Sequence, residues 1–220
     1  MTHSMVLRTK QPLMTLSLGD AFARFWGHPE PARVVPLLLL QLHQIMRASV
    51  PLLEAAQRRA HERAAEDPVC AGLCAYYQQH VEEERFHDEW MLEDLAAAGI
   101  GPAEALAKIP SPHLAAAVGA QYYWVLHHHP VALLGYMAVL EGHPPPADLL
   151  DEIQARSGLP PAALRTLRKH GQLDPDHGRE LDRQLDALPL TPAHTTLMGL
   201  SMAHTASSLA SALEELLPPA

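Results

Sequence analysis

The segment from residue 76 to residue 99 reads YYQQHVEEERFHDEWMLEDLAAAG. It contains His80, Glu84 and His87, a histidine, an acid and a second histidine at spacings of four and three. Helix-start and helix-stop signals around it predict one helix over residues 67–98. Because positions i, i+4 and i+7 share one helix face, the three side chains should point to a common place.

The same pattern occurs a second time in HGQLDPDH, where it comprises His170, Asp174 and His177. With 15 histidines and 25 acidic residues in 220, one copy is expected by chance about 0.1 times per chain. Imidazole nitrogens and carboxylate oxygens together bind iron, manganese and zinc. The repeated pattern therefore predicts a metal site built from two regions of the chain.

The second copy also has a plain structural interpretation. Asp174 precedes a proline, as a helix N-cap often does. Gly171 and Gly178 flank it, and glycine is common at helix ends. A helix is therefore expected to end near His170, with a marginally ordered segment over residues 168–180. At this point the metal-ligand and helix-cap interpretations of Asp174 both stand.

A third acid, Glu141, follows an apolar run over residues 133–140, LLGYMAVL. A carboxylate at the end of such a helix either reaches solvent or is held by a buried cation. Together with the two histidine motifs, Glu141 would supply a carboxylate from another helix.

The rest of the chain predicts an all-α protein. No segment alternates apolar and polar residues as a half-buried strand does, and 20 prolines separate the helical patterns. We expect one domain over residues 1–220, a bundle of seven or eight helices with its core over about 34–215 and a flexible N-terminal arm over 1–17. The expected helices cover approximately residues 18–26, 34–65, 67–98, 111–129, 130–141, 147–156, 161–170 and 191–217.

Composition excludes several classes of function. The chain has 16 Lys and Arg against 25 Asp and Glu, a net charge of −9, which argues against nucleic-acid binding. Its longest apolar stretch, residues 34–40, is far shorter than the roughly 20 residues of a membrane span. No signal-peptide core is visible, and Cys70 and Cys74 do not form a disulfide framework, so we expect a cytoplasmic protein with no membrane partner.

Three stretches together carry a family resemblance: residues 76–99, then HPVALLGYMAVLEG at 129–142, then HGQLDPDH at 170–177. In this order they resemble the iron-containing redox enzymes known as heme-oxygenase-like diiron oxidases and oxygenases, whose fold is also described as TenA/PqqC-like. The resemblance extends over about residues 34–215. It implies a heme-oxygenase-like helical bundle, two Fe²⁺ ions, and O2 as co-substrate for the oxidation of a small molecule.

The resemblance also implies which residues bind iron. The matching positions are Glu84 and His87, Glu141, and the triad His170, Asp174 and His177. At His80 the chain departs from some members, which have a carboxylate there. Other members use a carboxylate from an earlier helix, for which Glu54 is the candidate.

The substrate implied by the resemblance is an amino acid, a fatty acid or a biosynthetic intermediate of specialised metabolism, and a homodimer is compatible with it. Two alternatives stay open. The same scaffold could bind zinc or no metal and act as a hydrolase, or it could be a small-molecule binding module. Ferritin-like diiron bundles match less well, since they use two Glu-x-x-His motifs with further glutamates.

Overall fold

The computed structural model describes residues 2–142 and 144–217, except for the side chain of Pro175. In these residues every regular element is a helix, so the predicted all-α class is confirmed. The described elements number eleven α-helices and one 3₁₀ helix, more than the seven or eight expected. They are α1 His3–Met14, α2 Leu16–Trp26, α3 Pro31–Arg63, α4 Pro68–Glu83, α5 His87–Ala97, α6 Pro102–Ala107, α7 Pro112–His127, α8 Ala132–Leu140, α9 Ala147–Ser157, the 3₁₀ helix Pro161–Leu164, α10 Arg165–Ala187 and α11 Pro192–Glu214.

The N-terminal residues form helix α1 instead of the flexible arm expected over residues 1–17. The side chain of Thr2 caps the helix by accepting a hydrogen bond from a backbone N–H. The backbone and side chain of Ser4 both donate to the carboxylate of Asp186 on α10, at 2.8 Å each. Leu7 is buried. Docking against α10 therefore orders a segment whose own sequence is a weak helix signal.

The single helix expected over residues 67–98 is wrong, because the chain breaks into α4 and α5. Asp67 does cap α4, as its sequence predicts. The break falls at Phe86, which has a φ of 69° in the left-handed region. This backbone conformation is costly for a bulky side chain and persists only when tertiary contacts impose it. As a result His87 begins a new helix instead of continuing the first.

Helix α10 runs without interruption through the segment in which the sequence predicts a helix end. Gly171, Asp174 and Gly178 all lie inside this 23-residue helix. The predicted end near His170 and the helix-cap interpretation of Asp174 are therefore wrong. Leu181 and Leu185 are buried, and this docking compensates for the glycines and for Pro175, which has no backbone N–H to donate.

The core is formed around α8, in which every residue from Ala132 to Val139 is buried. Helix α11 packs so closely against α8 that a Cβ atom on Gly135 would lie 2.2 Å from the carbonyl oxygen of Met198. The end of α8 therefore lies inside the bundle, with Glu141 as its C-cap residue. Among the described helices, none has the length and hydropathy to cross a membrane.

The close approach at Gly135 leads to a stability prediction. Gly135→Ala should lower the free energy of unfolding by about 1–3 kcal/mol, because backbone atoms of α11 must move to admit a methyl group. The matched control is Gly119→Ala on the exposed side of α7, where the new Cβ would meet nothing within 4 Å. That variant should be about 0.5–1 kcal/mol more stable than wild type. Urea denaturation measures both, and equal effects of the two substitutions would contradict the packing argument.

Candidate metal centre

The structure brings all seven predicted side chains into one cluster inside the bundle. Four segments contribute to it: the C-terminal part of α4, the first residue of α5, the C-cap of α8 and the middle of α10. Asp174 and three of the histidines are less than 9% exposed, and the side chains of the others are 13–16% exposed. The cluster consists of His80, Glu84, His87, Glu141, His170, Asp174 and His177.

One half of the cluster contains Glu84, His87 and His170. Glu84 Oε2 and His87 Nδ1 are 3.2 Å apart. The rings of His87 and His170 are nearly perpendicular, with centroids 4.9 Å apart. The turn at Phe86 makes this arrangement possible, because it places His87 beside Glu84. We call this group the first half-site.

The other half contains His80, Glu141 and His177, and we call it the second half-site. His80 Nε2 and Glu141 Oε1 are 3.9 Å apart, and the ring centroids of His80 and His177 are 5.8 Å apart. Asp174 lies between the halves, since its Oδ1 is 3.3 Å from His170 Nδ1 and 3.9 Å from His177 Nδ1. Each half-site thus has two imidazoles and one carboxylate, with Asp174 within reach of both.

Several polar atoms of the cluster are buried and have no hydrogen-bond partner among the described residues. Nearly all buried polar atoms in folded proteins have a partner, so a concentration of unpaired atoms requires an explanation. All of them are atoms that bind metal ions, and bound cations would give them partners. They are His80 Nε2, His87 Nδ1, His170 Nε2, His177 Nδ1 and Glu141 Oε2.

The orientation of His80 fits a ligand role although this residue departs from the family pattern. Its Nδ1 lies 3.3 Å from the carbonyl oxygen of Tyr76 and donates to it when protonated. The neutral ring then carries its lone pair on Nε2, the atom that faces Glu141. Metal-bound histidines typically have this arrangement, with the second ring nitrogen donating to a carbonyl or carboxylate.

Electrostatics within the cluster also favour a cation. Burial, together with the negative charges of Glu84 and Asp174, holds the pKa of Glu141 well above its ordinary range. Burial also raises the pKa of Glu84, but the neighbouring His87 and the charge of His170 outweigh it, and the net pKa is lowered. A positive ion among these carboxylates would reduce the repulsion that contributes to the raised pKa of Glu141.

Two further acids near the second half-site were not predicted from the sequence. Glu83 Oε2 is buried without a partner and lies 3.8 Å from His80 Nδ1. The charge of Glu180, on α10, also raises the pKa of Glu141. In the sequence Glu83 stands in a run of three acids, a pattern typical of a solvated helix face. The signal available for Glu180 is its position three residues after His177. Glu54, the candidate from an earlier helix, does not line the cavity beside the cluster.

A second polar cluster comprises Asp67, Cys70 and His129. His129 Nε2 lies 2.9 Å from an oxygen of Asp67 and 3.5 Å from the sulfur of Cys70. The backbone N–H of Val131 donates to His129 Nδ1 at 3.0 Å, so the neutral ring carries its proton on Nε2. A metal at Nε2 would have to displace this proton and break the hydrogen bond with Asp67. This cluster is therefore better suited to capping α4 than to binding metal.

The two cysteines are poorly placed for nucleophilic chemistry. Burial and the neighbouring Asp67 raise the pKa of Cys70 to about 12. Burial also raises the pKa of Cys74, whose sulfur donates to a backbone carbonyl. Neither residue lines the cavity beside the seven-residue cluster. Thiolate catalysis requires a lowered pKa and access, and both are missing here.

Fold and site together define an all-helical protein with a buried histidine–carboxylate cluster. The family model described as "Iron-containing redox enzyme" matches residues 76–196, more than half of the chain and all seven residues of the cluster. The chain belongs to this family of iron-containing redox enzymes. No curated protein matches the chain.

Two solved structures show the fold. A domain of unknown function with a heme oxygenase-like fold from Shewanella denitrificans OS217 matches with a TM-score of 0.82 and 18% identity, covering 96% of this chain and 90% of that chain. A TenA homolog from Pseudomonas syringae pv. tomato str. DC3000 matches with a TM-score of 0.66 and 11% identity, covering 93% and 90%. The heme-oxygenase-like fold expected from the sequence is confirmed.

The cap on α4 leads to a prediction on pH dependence. Burial raises the pKa of Asp67, but hydrogen bonds with His129 and the backbone of Cys70 outweigh it and lower the pKa from 3.8 to about 2. A lowered pKa contributes stability above pH 4 that disappears as the pH falls towards 2. Asp67→Asn should therefore be about 1–2 kcal/mol less stable than wild type at pH 7, and the difference should shrink between pH 4 and pH 2.

Thermal or urea unfolding across this pH range measures the effect. The control is Glu62→Gln, which removes an exposed acid from a surface ion pair with Arg59 and should change stability by less than about 1 kcal/mol. A difference between Asp67→Asn and wild type that stays constant from pH 7 to pH 2 would contradict the assignment.

Proposed function

We propose that this protein is a non-haem iron oxidase or oxygenase that holds two Fe²⁺ ions and uses O2 to oxidise a small molecule. The observation that carries the proposal is the pair of half-sites on either side of Asp174, with their buried, unpartnered nitrogen atoms. Membership of the family of iron-containing redox enzymes supports an oxidoreductase.

Each half-site would hold one ion. Glu84, His87 and His170 would bind the first, and His80, Glu141 and His177 the second, with Asp174 available to both. Mixed imidazole and carboxylate ligands suit iron, which is intermediate in softness. When bound, the iron pair would relay electrons to O2 from the substrate or from an external reductant, chemistry that no amino-acid side chain provides.

The residues of the chain have their own tasks in this function. The surrounding helices shield His80 and His87 from solvent, since these residues are at most 2% exposed. The carbonyl of Tyr76 orients His80. Because burial and neighbouring acids raise the pKa of Glu141, its carboxyl holds a proton more readily than a free carboxyl does, and a bound cation would favour the charged form.

The first test removes single histidines from the two half-sites. His87→Ala, His170→Ala and His177→Ala should each lower bound iron and abolish O2 consumption, because a half-site with one imidazole fewer binds its ion weakly. Helix content measured by circular dichroism should stay near that of wild type. The control is His61→Ala on the exposed side of α3, whose ring bonds only to a backbone carbonyl.

Metal analysis and oxygen-electrode measurements on the iron-loaded chain give the result. Full iron content and full O2 consumption in any of the three variants would show that the substituted histidine is not an iron ligand. One equivalent of zinc in the purified protein, with no O2 consumption after anaerobic iron loading, would instead favour the zinc-dependent alternative.

A second test concerns the carboxylate of α8. Glu141→Gln keeps the size of the side chain and removes its charge, so the second half-site should bind iron weakly and the chain should retain about one ion. Glu83→Gln is the matched control, since Glu83 lies on the Nδ1 side of His80, away from the free Nε2, and this variant should retain two ions. Two ions per chain in the Glu141→Gln variant would contradict the assignment of Glu141.

A further inference from the structure

A cavity of about 700 Å³ begins at the candidate metal centre. This volume is within the range of small-molecule binding sites, about 300–1,000 Å³. Glu84 and His170 are among the cluster residues that line its inner end. Its outer end is lined by Leu16 and Gly19 of α2, which are exposed to solvent. The cavity therefore connects the candidate centre with the surface at α2.

Between these two ends the walls are mostly aliphatic, and Phe22 and Trp26 add aromatic rings. Leu38, Leu42 and Ile45 contribute from α3, Met137 from α8 and Leu213 from α11. No lysine or arginine occurs among the described residues that line the cavity. An anionic group such as a phosphate, placed along these walls, would be buried without a compensating charge, which is strongly unfavourable.

Three of the polar side chains on the walls are already hydrogen-bonded to backbone carbonyls. Thr15 and Ser49 each donate a hydroxyl hydrogen to a backbone carbonyl of their own helical turn. The amide nitrogen of Gln41 donates to a carbonyl of α11 at 2.7 Å. The hydroxyl of Tyr136 has no partner among the described residues. Apart from the Tyr136 hydroxyl, these walls therefore offer a ligand mainly contact with apolar side chains.

We propose that the substrate is an elongated aliphatic molecule held by its hydrocarbon chain, with no phosphate or similar polyanionic group inside the cavity. This inference rests on the proposed function, because the ligand of the cavity is taken to be the molecule that is oxidised. The outer opening at α2 admits the chain, and the aliphatic walls direct it towards the metal centre. Binding energy then comes from burial of methylene groups, about 0.8 kcal/mol for each.

Chain-length dependence tests the proposal. Binding of n-alkanols from hexanol to tetradecanol to the full chain is measured by displacement of a fluorescent apolar probe, with and without iron. Affinity should rise about threefold to fourfold per methylene and then level off when the cavity is full. In the iron-free protein, decyl phosphate should bind at least tenfold more weakly than decanol.

A substitution that reduces the cavity volume tests the same proposal. Leu42→Trp places a larger side chain on the cavity wall and should shift the levelling-off to shorter alkanols. Leu126→Trp is the control, because Leu126 is 44% exposed on α7 and does not line the cavity. It should leave the length profile unchanged.

Three results would overturn the proposal: affinity independent of chain length, tighter binding of decyl phosphate than of decanol, or the same length profile in Leu42→Trp and wild type. Failure of the proposed function is a separate result. If the chain binds alkanols in this way but binds no iron, the cavity assignment stands and the oxidase assignment fails. If the chain binds two ions and consumes O2 but its affinity for alkanols does not depend on their length, the oxidase assignment stands and the cavity assignment fails.

Discussion

Three carboxylates, Glu84, Glu141 and Asp174, are confined in one small region of the helical bundle, and their mutual repulsion is the constraint on which the rest of the structure depends. Burial and the two other charges hold the pKa of Glu141 well above its ordinary range. Four imidazoles surround them with unpaired nitrogen atoms. Without a ligand, this arrangement lowers the stability of the folded protein. Cations that neutralise the acids and bind the nitrogens would stabilise the fold.

The helices around this region fall into two groups. Those with strong local signals were predicted from the sequence: α3, α7 and α11 start within a few residues of their expected positions, and the side chains of Ser111 and Thr191 cap the last two. Those that depend on tertiary packing were not. Helix α1 is ordered by its contacts with α10, the break at Phe86 opposes local preference, and α10 continues through residues that usually end helices.

The candidate site was predicted more fully than the helices that carry it. All seven residues meet, because the spacing between His80 and Glu84 and the spacing along α10 both place ligands on one helical face. His87 was expected to lie on the same helix face as His80 and Glu84. It instead reaches the cluster because the chain turns at Phe86, whose backbone is in the left-handed region. Glu83 and Glu180 were missed, since Glu83 belongs to a run of acids, which in a sequence usually indicates a solvated surface, and Glu180 belongs to neither histidine motif.

The central claim is that the two half-sites each bind one iron ion. Anomalous diffraction at the iron edge from crystals of the iron-loaded full chain tests it most directly. The account predicts two peaks about 3.5–4 Å apart, one among Glu84, His87 and His170 and one among His80, Glu141 and His177. A single peak, or a peak at Asp67 and His129 in place of these, would contradict it.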